Sequence, residues 1–189
     1  MSAFEYVTVL ISIVLSLGIT QILTGVAGII KKAHKVTLYW PHVLWVLFVL
    51  LLHIQEWWIT YELKGHQSWK LPFFLFIMIY PINLFVMARL LFPDKLKGKI
   101  IDLKQFYFKN YKKLFFLLIL SAILSVIFNL TVLKMAISDQ ILQLLLIAII
   151  SFITIKETTS EWIHKAVAIV VLLSLIVSII IEWNVWLIE

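Results

Sequence analysis

Two ionisable side chains three residues apart, His53 and Glu56, lie inside a long apolar run of the sequence. On a helix these two positions are neighbours, so the imidazole can donate to the carboxylate, which then fixes the imidazole tautomer. Such a pair suits proton transfer or cation binding, and His42 falls on the same helical face. Two alternatives remain: a structural pair satisfied against a neighbouring helix, or a metal site that needs further ligands from elsewhere.

Polar residues in the other apolar runs would assist this site. Gln21 lies in the first run, and Asn83 lies in the third, beside Pro81. Proline inside a helix frees a backbone carbonyl, which must find a partner or line a cavity. The ends of other runs form a predicted acidic and amide-rich outer rim, whose members are Glu5, Asn129 and Glu182. Such a rim would concentrate cations, and the alternative is that these residues are ordinary polar helix ends.

The composition excludes the soluble classes of protein. Of the 189 residues, 63% are hydrophobic and 14% are charged, and the mean hydropathy is +1.06. A soluble domain has about 45–50% apolar and roughly 25% charged residues, and a disordered chain is less hydrophobic still. We therefore expect an integral membrane protein. The sequence has no cysteine, which excludes disulfides and thiolate metal sites.

Six apolar runs are close to the roughly 20 residues that cross a bilayer. They cover approximately residues 4–30, 39–61, 71–92, 114–133, 140–155 and 162–183. Their apolar residues are continuous rather than alternating, which favours helices over a β-barrel. The predicted fold is all-α: a polytopic membrane protein with one domain over residues 1–189, formed by a bundle of six transmembrane helices.

The basic residues predict the orientation of the chain. Of the 16 lysines and arginines, all but Lys64, Lys70 and Lys134 lie near the first, third and fifth connections between runs. Because loops rich in lysine and arginine stay in the cytoplasm, both termini are expected outside. We expect a multi-pass protein of a bacterial cytoplasmic membrane.

The longest connection, from Pro93 to Lys113, has the pattern of a short amphipathic helix that lies in the membrane interface before the fourth span. Its apolar residues recur at steps of three or four: Leu96, Ile100, Leu103, Tyr107 and Tyr111. Its lysines occupy the other faces: Lys95, Lys97, Lys99, Lys104, Lys109, Lys112 and Lys113. These lysines are candidate ligands for anionic lipid or for an acidic cytoplasmic protein. The alternative is that they only fix the topology.

Hydroxyl side chains recur every four residues along the first run, in a stripe formed by Thr8, Ser12, Ser16, Thr20 and Thr24. Glycines lie nearby at Gly18, Gly25 and Gly28. Small residues at this spacing let helices approach closely, so we expect a packing face inside the bundle or between subunits of a homo-oligomer. A hydroxyl stripe along a water-filled pore is the alternative.

No catalytic signature supports an enzyme, since the sequence has no phosphate-binding glycine loop, His-Glu-x-x-His or Gly-x-Ser-x-Gly. We expect neither a cofactor nor a nucleic-acid partner. The predicted function is a small channel or transporter-like protein for protons, cations or small solutes. Its predicted transport site comprises His53, Glu56, His42, Asn83 and Gln21. The alternative is a membrane-embedded sensor, effector or assembly subunit that recruits a partner or anionic lipid through residues 95–113.

Overall fold

The computed structural model describes residues 2–66, 68–93 and 100–181, with side chains up to residue 180. Its helices are α1 (Ala3–Lys31), α2 (Trp40–Ile59), α3 (Leu71–Leu90), α4 (Leu103–Thr131), α5 (Ile141–Ile155) and α6 (Glu161–Ile181). Short 3-10 turns cover Ala33–Lys35, Thr60–Gly65 and Ile137–Gln140. Six helical segments are long and apolar enough to cross a membrane. This confirms the predicted all-α architecture of six helices and fits a multi-pass membrane protein.

Local sequence explains where the helices begin. Ser2 caps α1: its hydroxyl accepts from the backbone N–H of Glu5 at 3.1 Å, and the Glu5 carboxylate accepts from the Ser2 N–H at 2.8 Å. Asp102 caps α4 by accepting from two N–H groups of its first turn. Pro41 and Pro72 occupy the first turns of α2 and α3, where a missing N–H costs no helical hydrogen bond.

The interfacial helix predicted before the fourth span is not a separate element. Residues 103–113 form the first turns of α4, so the fourth helix begins at Leu103, earlier than predicted. Neither proline nor glycine interrupts it, and it therefore continues through 29 residues, about 43 Å. Tyr107 and Tyr111, which were predicted to face lipid with Leu103, are buried with it inside the bundle. Residues 94–99 lie outside the described residues.

Contacts between the connections define two ends of the bundle. β1 (Val36–Thr37) pairs in parallel with β2 (Ile101–Asp102), which joins the first and third connections. The fifth connection, residues 156–160, is tied to the first half of α4 by an ion pair between Lys112 and Glu157 at 2.7 Å. We call this the basic end.

The even-numbered connections meet at the opposite end. The ring of Phe4, at the start of α1, lies 6.5 Å from that of Tyr61 in the second connection, measured between centroids. Asn129, near the end of α4, donates to Gln140 in the fourth connection at 2.8 Å. The helices therefore alternate in direction along the chain. Within the bundle, α1 packs mainly on α3, α3 on α4, α4 on α5, and α2 on α6.

The face of α1 that packs into the bundle is the glycine face. Its buried residues are Val7, Ile11, Leu15, Gly18, Ile22 and Gly25. The hydroxyl stripe lies half-buried to exposed on the outer surface, along a shallow groove. The expectation that this stripe packs inside the bundle is therefore wrong, because the glycines allow a closer approach than hydroxyl side chains do. An interface between subunits stays a prediction.

Candidate functional site

A pocket opens towards the opposite end of the bundle, between α2, α3 and α4. Its polar lining comprises Glu56, Thr60, Tyr80, Ser125 and Asn129. Its apolar lining comprises Ile59, Leu63, Phe76, Ile77, Leu124 and Phe128. The pocket has a volume of about 40 Å³. That volume accommodates a few water molecules or one small ion.

Glu56 is the charged residue of the pocket lining. Its side chain is half-buried, and no described residue donates a hydrogen bond to its carboxylate or forms an ion pair with it. The hydroxyl of Thr60 donates to the backbone carbonyl of Glu56 at 2.8 Å and leaves the carboxylate free. In an apolar bundle an ionisable group is costly unless it faces protein polar groups or water. A carboxylate without a cationic partner in a small pocket can bind a cation or a proton.

The α3 wall of the pocket lies beside the proline of that helix. Pro81 lies inside α3 and has no N–H to donate to the carbonyl of Ile77, one turn earlier. Ile77 and Tyr80 both line the pocket. The sequence predicted that the carbonyl freed by Pro81 finds a partner or lines a cavity, and the turn before the proline borders this pocket. Hydroxyl and carbonyl oxygens are groups that solvate cations.

His53 does not join Glu56 in this pocket. Its Nδ1 donates to the backbone carbonyl of Val49 at 2.7 Å, and its Nε2 has no hydrogen-bond partner among the described residues. The ring is fully buried against Gly18 of α1. Residues three positions apart on a helix point about 60° apart, which sends the imidazole towards α1 and the carboxylate towards α3 and α4. The hydrogen bond expected between the two side chains is therefore not formed.

His42 also lies apart from the pocket, at the basic end. Its buried ring lies 5.8 Å from that of Phe106 and 6.3 Å from that of Tyr107, measured between centroids. The predicted inward-facing side of α2 is nonetheless confirmed from His42 to His53, since this side of the helix buries His42, Trp45, Val49 and His53. The spacing predicted which residues face inward but not which neighbours they meet.

Asn83 and Gln21 link helices and do not line the pocket. The Asn83 amide donates to the hydroxyl of Ser121 at 2.7 Å and to the carbonyl of Leu117 at 2.9 Å. The Gln21 side-chain oxygen accepts from the guanidinium of Arg89 at 3.2 Å. These bonds tie α3 to α4 and α1 to α3, which is the usual role of amides between apolar helices.

The described members of the predicted outer rim do not share one mouth. Glu5 is exposed and caps α1 by accepting from Ser2. Asn129 lines the Glu56 pocket, and its amide donates to Gln140. Glu182 lies outside the described residues. Asn129 is thus the rim residue that the structure brings to the pocket.

The lysines of the predicted docking segment fall into three groups. Lys104 and Lys112 form ion pairs, at 2.5 and 2.7 Å, with glutamates of α6 and the fifth connection. Lys109 and Lys113 are exposed and form no ion pair within the described part of the chain. The remaining members lie outside the described residues: Lys95, Lys97 and Lys99. Two of the lysines are therefore paired with glutamates of the same chain at the surface.

One buried ionisable residue, His164, was not among the predicted site residues. It lies in the first turn of α6, with its Nδ1 2.8 Å from the hydroxyl of Tyr107 and its Nε2 2.8 Å from the carbonyl of Thr158. Its charged neighbours Glu161 and Lys165 made this turn resemble a surface segment. A signal was present, because His164 begins a buried face that continues at Val167, Ala168, Val171, Leu172 and Leu175.

Comparisons with protein-family models, with curated proteins and with solved structures give no match to this chain. Over the described ranges, no three histidine, aspartate or glutamate side chains are grouped closely enough to hold a metal ion. The geometry of the pocket is therefore the basis on which a function is assigned.

Proposed function

We propose that the protein is a small channel or transporter-like bundle that passes protons or small cations across a bacterial cytoplasmic membrane, with Glu56 as the binding group. The basic end faces the cytoplasm and both termini face outward, in keeping with the positive-inside rule. In this orientation Glu56 lies in the outer half of the membrane, and its pocket is reached from outside.

The uncompensated carboxylate of Glu56 carries this proposal. Taking such a group out of water costs several kcal/mol, and no cationic side chain of the described structure pairs with it. A bound proton or cation offsets that cost. The hydroxyls of Thr60, Tyr80 and Ser125 and the amide of Asn129 add polar contacts around the same space. The volume of about 40 Å³ restricts the ligand to a small ion with little water.

A mostly apolar layer of buried side chains lies between the pocket and the basic end, at the middle of α2, α3 and α4, and includes Val49, Leu84, Phe115 and Leu118. The buried side chains of Asn83 and Ser121 at the same depth are hydrogen-bonded to each other. Such a layer excludes water and closes a pathway. Passage requires this layer to open, and the turn at Pro81, beside the pocket, is the natural hinge because proline weakens the helix there. In this proposal the protein is in a conformation that is closed towards the cytoplasm.

Flux into liposomes tests the assignment. Purified protein is reconstituted, and the movement of protons and of potassium ions is followed in separate assays under an imposed gradient. Glu56→Gln keeps the shape of the side chain and removes its charge, and we expect flux to fall about tenfold or more. Glu62→Gln changes an exposed carboxylate in the adjacent connection, so it is the matched control and should leave flux unchanged. Equal flux through the wild type and Glu56→Gln would refute the assignment.

A second candidate function is recruitment of anionic lipid or an acidic partner at the basic end. The observation that favours it is the exposure of Lys109 and Lys113, one turn apart on α4, with no ion partner among the described residues. Replacing both by glutamine should lower the amount of anionic lipid retained by the purified protein, measured by native mass spectrometry. Lys134→Gln, at the opposite end, is the control. Unchanged lipid retention in the double variant would reject the lipid form of this function.

A further inference from the structure

A second group of buried polar side chains lies at the basic end, around Tyr107 of α4. The rings of Tyr107 and His164 are both buried, with centroids 5.4 Å apart. The buried ring of His42 lies on the α2 side of the same tyrosine, and Trp45 is buried one turn further along α2. Side chains that donate and accept hydrogen bonds are thus enclosed where α2, α4 and α6 meet.

Two hydrogen bonds determine where the hydrogen atoms of this group lie. Nε2 of His164 is 2.8 Å from the carbonyl oxygen of Thr158, which can only accept, so Nε2 carries a hydrogen. In the neutral ring Nδ1 is then an acceptor, and the hydroxyl of Tyr107, 2.8 Å away, donates to it. The result is a hydrogen-bonded chain from Tyr107 through the imidazole to the backbone of the fifth connection.

The same cluster contains buried polar atoms with no hydrogen-bond partner among the described residues. They are the hydroxyls of Tyr39 and Tyr111. Buried polar atoms of this kind are usually satisfied by internal water. Water bound to these hydroxyls would lie beside Tyr107, whose ring centroid is 5.6 Å from that of Tyr39 and 6.2 Å from that of Tyr111.

We infer that the species carried is the proton, and that Tyr107 and His164 pass it between the bundle and the solution at the basic end; this inference rests on the proposed function. A proton from water binds the oxygen of Tyr107 while the original hydroxyl hydrogen moves to Nδ1 of His164, which becomes an imidazolium. The Nε2 hydrogen then leaves to a water molecule that replaces the carbonyl of Thr158. The neutral ring then carries its hydrogen on Nδ1, and water resets it by taking the hydrogen from Nδ1 and giving one to Nε2 before the ring returns to Tyr107. Over the cycle one proton enters and one leaves.

The chemistry of the cluster suits a proton better than a metal cation. Hard metal cations need several oxygen ligands, carboxylates above all. The described residues of the cluster offer phenol hydroxyls, imidazoles and an indole N–H, and no carboxylate. The charged groups that flank it form ion pairs at its exposed rim: Glu161 with Lys104 and Lys165, and Glu157 with Lys112. Imidazole is the side chain that gains and loses a proton most readily near neutral pH.

The fifth connection positions the exit of this chain. Glu157 has a φ of 51°, which turns the backbone after α5, and the N–H of Thr158 donates to the carbonyl of Ile153 at 3.2 Å. Lys112 of α4 holds the Glu157 carboxylate at 2.7 Å. These contacts hold the carbonyl of Thr158 against the imidazole, while the residues on either side of Thr158 are exposed. Nε2 of His164 is therefore one backbone group away from the solution.

Proton flux into liposomes, driven by a potassium gradient with valinomycin, tests the relay. His164→Gln keeps hydrogen-bonding capacity but cannot carry a proton, and Tyr107→Phe keeps the ring but loses the hydroxyl. We expect each variant to lower proton flux about tenfold or more. His66→Gln and Tyr6→Phe are matched controls at the opposite end and should keep the wild-type flux.

Nitrogen-15 NMR of His164 in the wild-type protein gives a readout that does not depend on flux or on the folding of a variant. The expected result at neutral pH is a neutral ring with its hydrogen on Nε2 and a hydrogen-bonded, unprotonated Nδ1. A ring with its hydrogen on Nδ1 would overturn the inference, because Tyr107 could not then donate to it.

The flux results separate failure of the relay from failure of the proposed function. If Glu56→Gln lowers proton flux while His164→Gln and Tyr107→Phe do not, the relay is wrong and the proposed function stands. If the wild type carries potassium ions without valinomycin but no protons, the inference is overturned and a cation pathway remains. If the wild type carries neither ion, both proposals fall.

Discussion

The imidazole of His53 fills the space that a side chain on Gly18 would occupy. A Cβ added to Gly18 would overlap the ring atoms of His53, and both residues are buried where α1 meets α2. The same relation holds at Gly25, where an added Cβ would overlap the ring of Phe92. Two glycines therefore set how closely α1 approaches the rest of the bundle.

Gly18→Ala is expected to destabilise the protein by about 1–3 kcal/mol, because the enclosed imidazole has little room to move. His53→Ala removes the overlapping ring, so the double variant should lose clearly less stability than the sum of the losses in the two single variants. Thermal unfolding in detergent measures both effects. Gly65→Ala is the matched control, because nothing lies within 4 Å of its added Cβ. Simple addition of the two destabilising effects in the double variant would contradict the packing relation.

Leu103→Ala should destabilise the protein by about 2–5 kcal/mol, whereas Ile100→Ala should cost less than about 0.5 kcal/mol. Both residues belong to the predicted lipid-facing stripe, but Leu103 is fully buried and Ile100 is 79% exposed. Denaturant unfolding of the two variants provides the comparison. Similar costs at both positions would mean that the segment lies on lipid as a separate helix.

Glu161→Gln should lower the unfolding temperature slightly at low salt and leave it unchanged at 1 M salt. The substitution removes ion pairs to Lys104 at 2.5 Å and to Lys165 at 2.8 Å, and all three side chains reach solvent. Screening over about 3 Å at 1 M salt abolishes such surface attraction. Glu62→Gln is the control, because Glu62 is exposed and forms no salt bridge among the described residues. If the unfolding temperature of Glu161→Gln stayed lower at high salt, the ion pairs would contribute more than screened surface attraction.

Single-cysteine labelling tests the proposed orientation directly, because the natural sequence has no cysteine. Ala33→Cys introduces a thiol at the exposed basic end, and Ser138→Cys introduces one at the opposite end. In intact bacterial cells, a membrane-impermeant maleimide should label position 138 but not position 33. Labelling of both positions after permeabilisation shows that each thiol is reactive. The reverse pattern in intact cells would place the Glu56 pocket on the cytoplasmic side.

Short-range sequence features predicted much of the helical architecture. Hydropathy, capping residues and proline act over a few neighbouring positions, so six apolar runs became six helices. The spacing of His42, Val49 and His53 predicted the buried face of α2. Pro81 lies inside α3, and Ile77 and Tyr80 of the turn before it line the pocket. The sequence did not predict that α4 begins at Leu103. Lysines surround the narrow apolar face of its first turns, and this face is buried only when the bundle packs.

The sequence by itself determined that six apolar helices form, and the tertiary structure decided what each polar group faces. Helices that are apolar on almost every side have no periodicity that assigns one face to one neighbour. For that reason His53 and Glu56 looked like a pair, although one packs on Gly18 and the other opens into a pocket. The bond between Tyr107 and His164 joins residues 57 positions apart, so it depends on how α6 docks against α4.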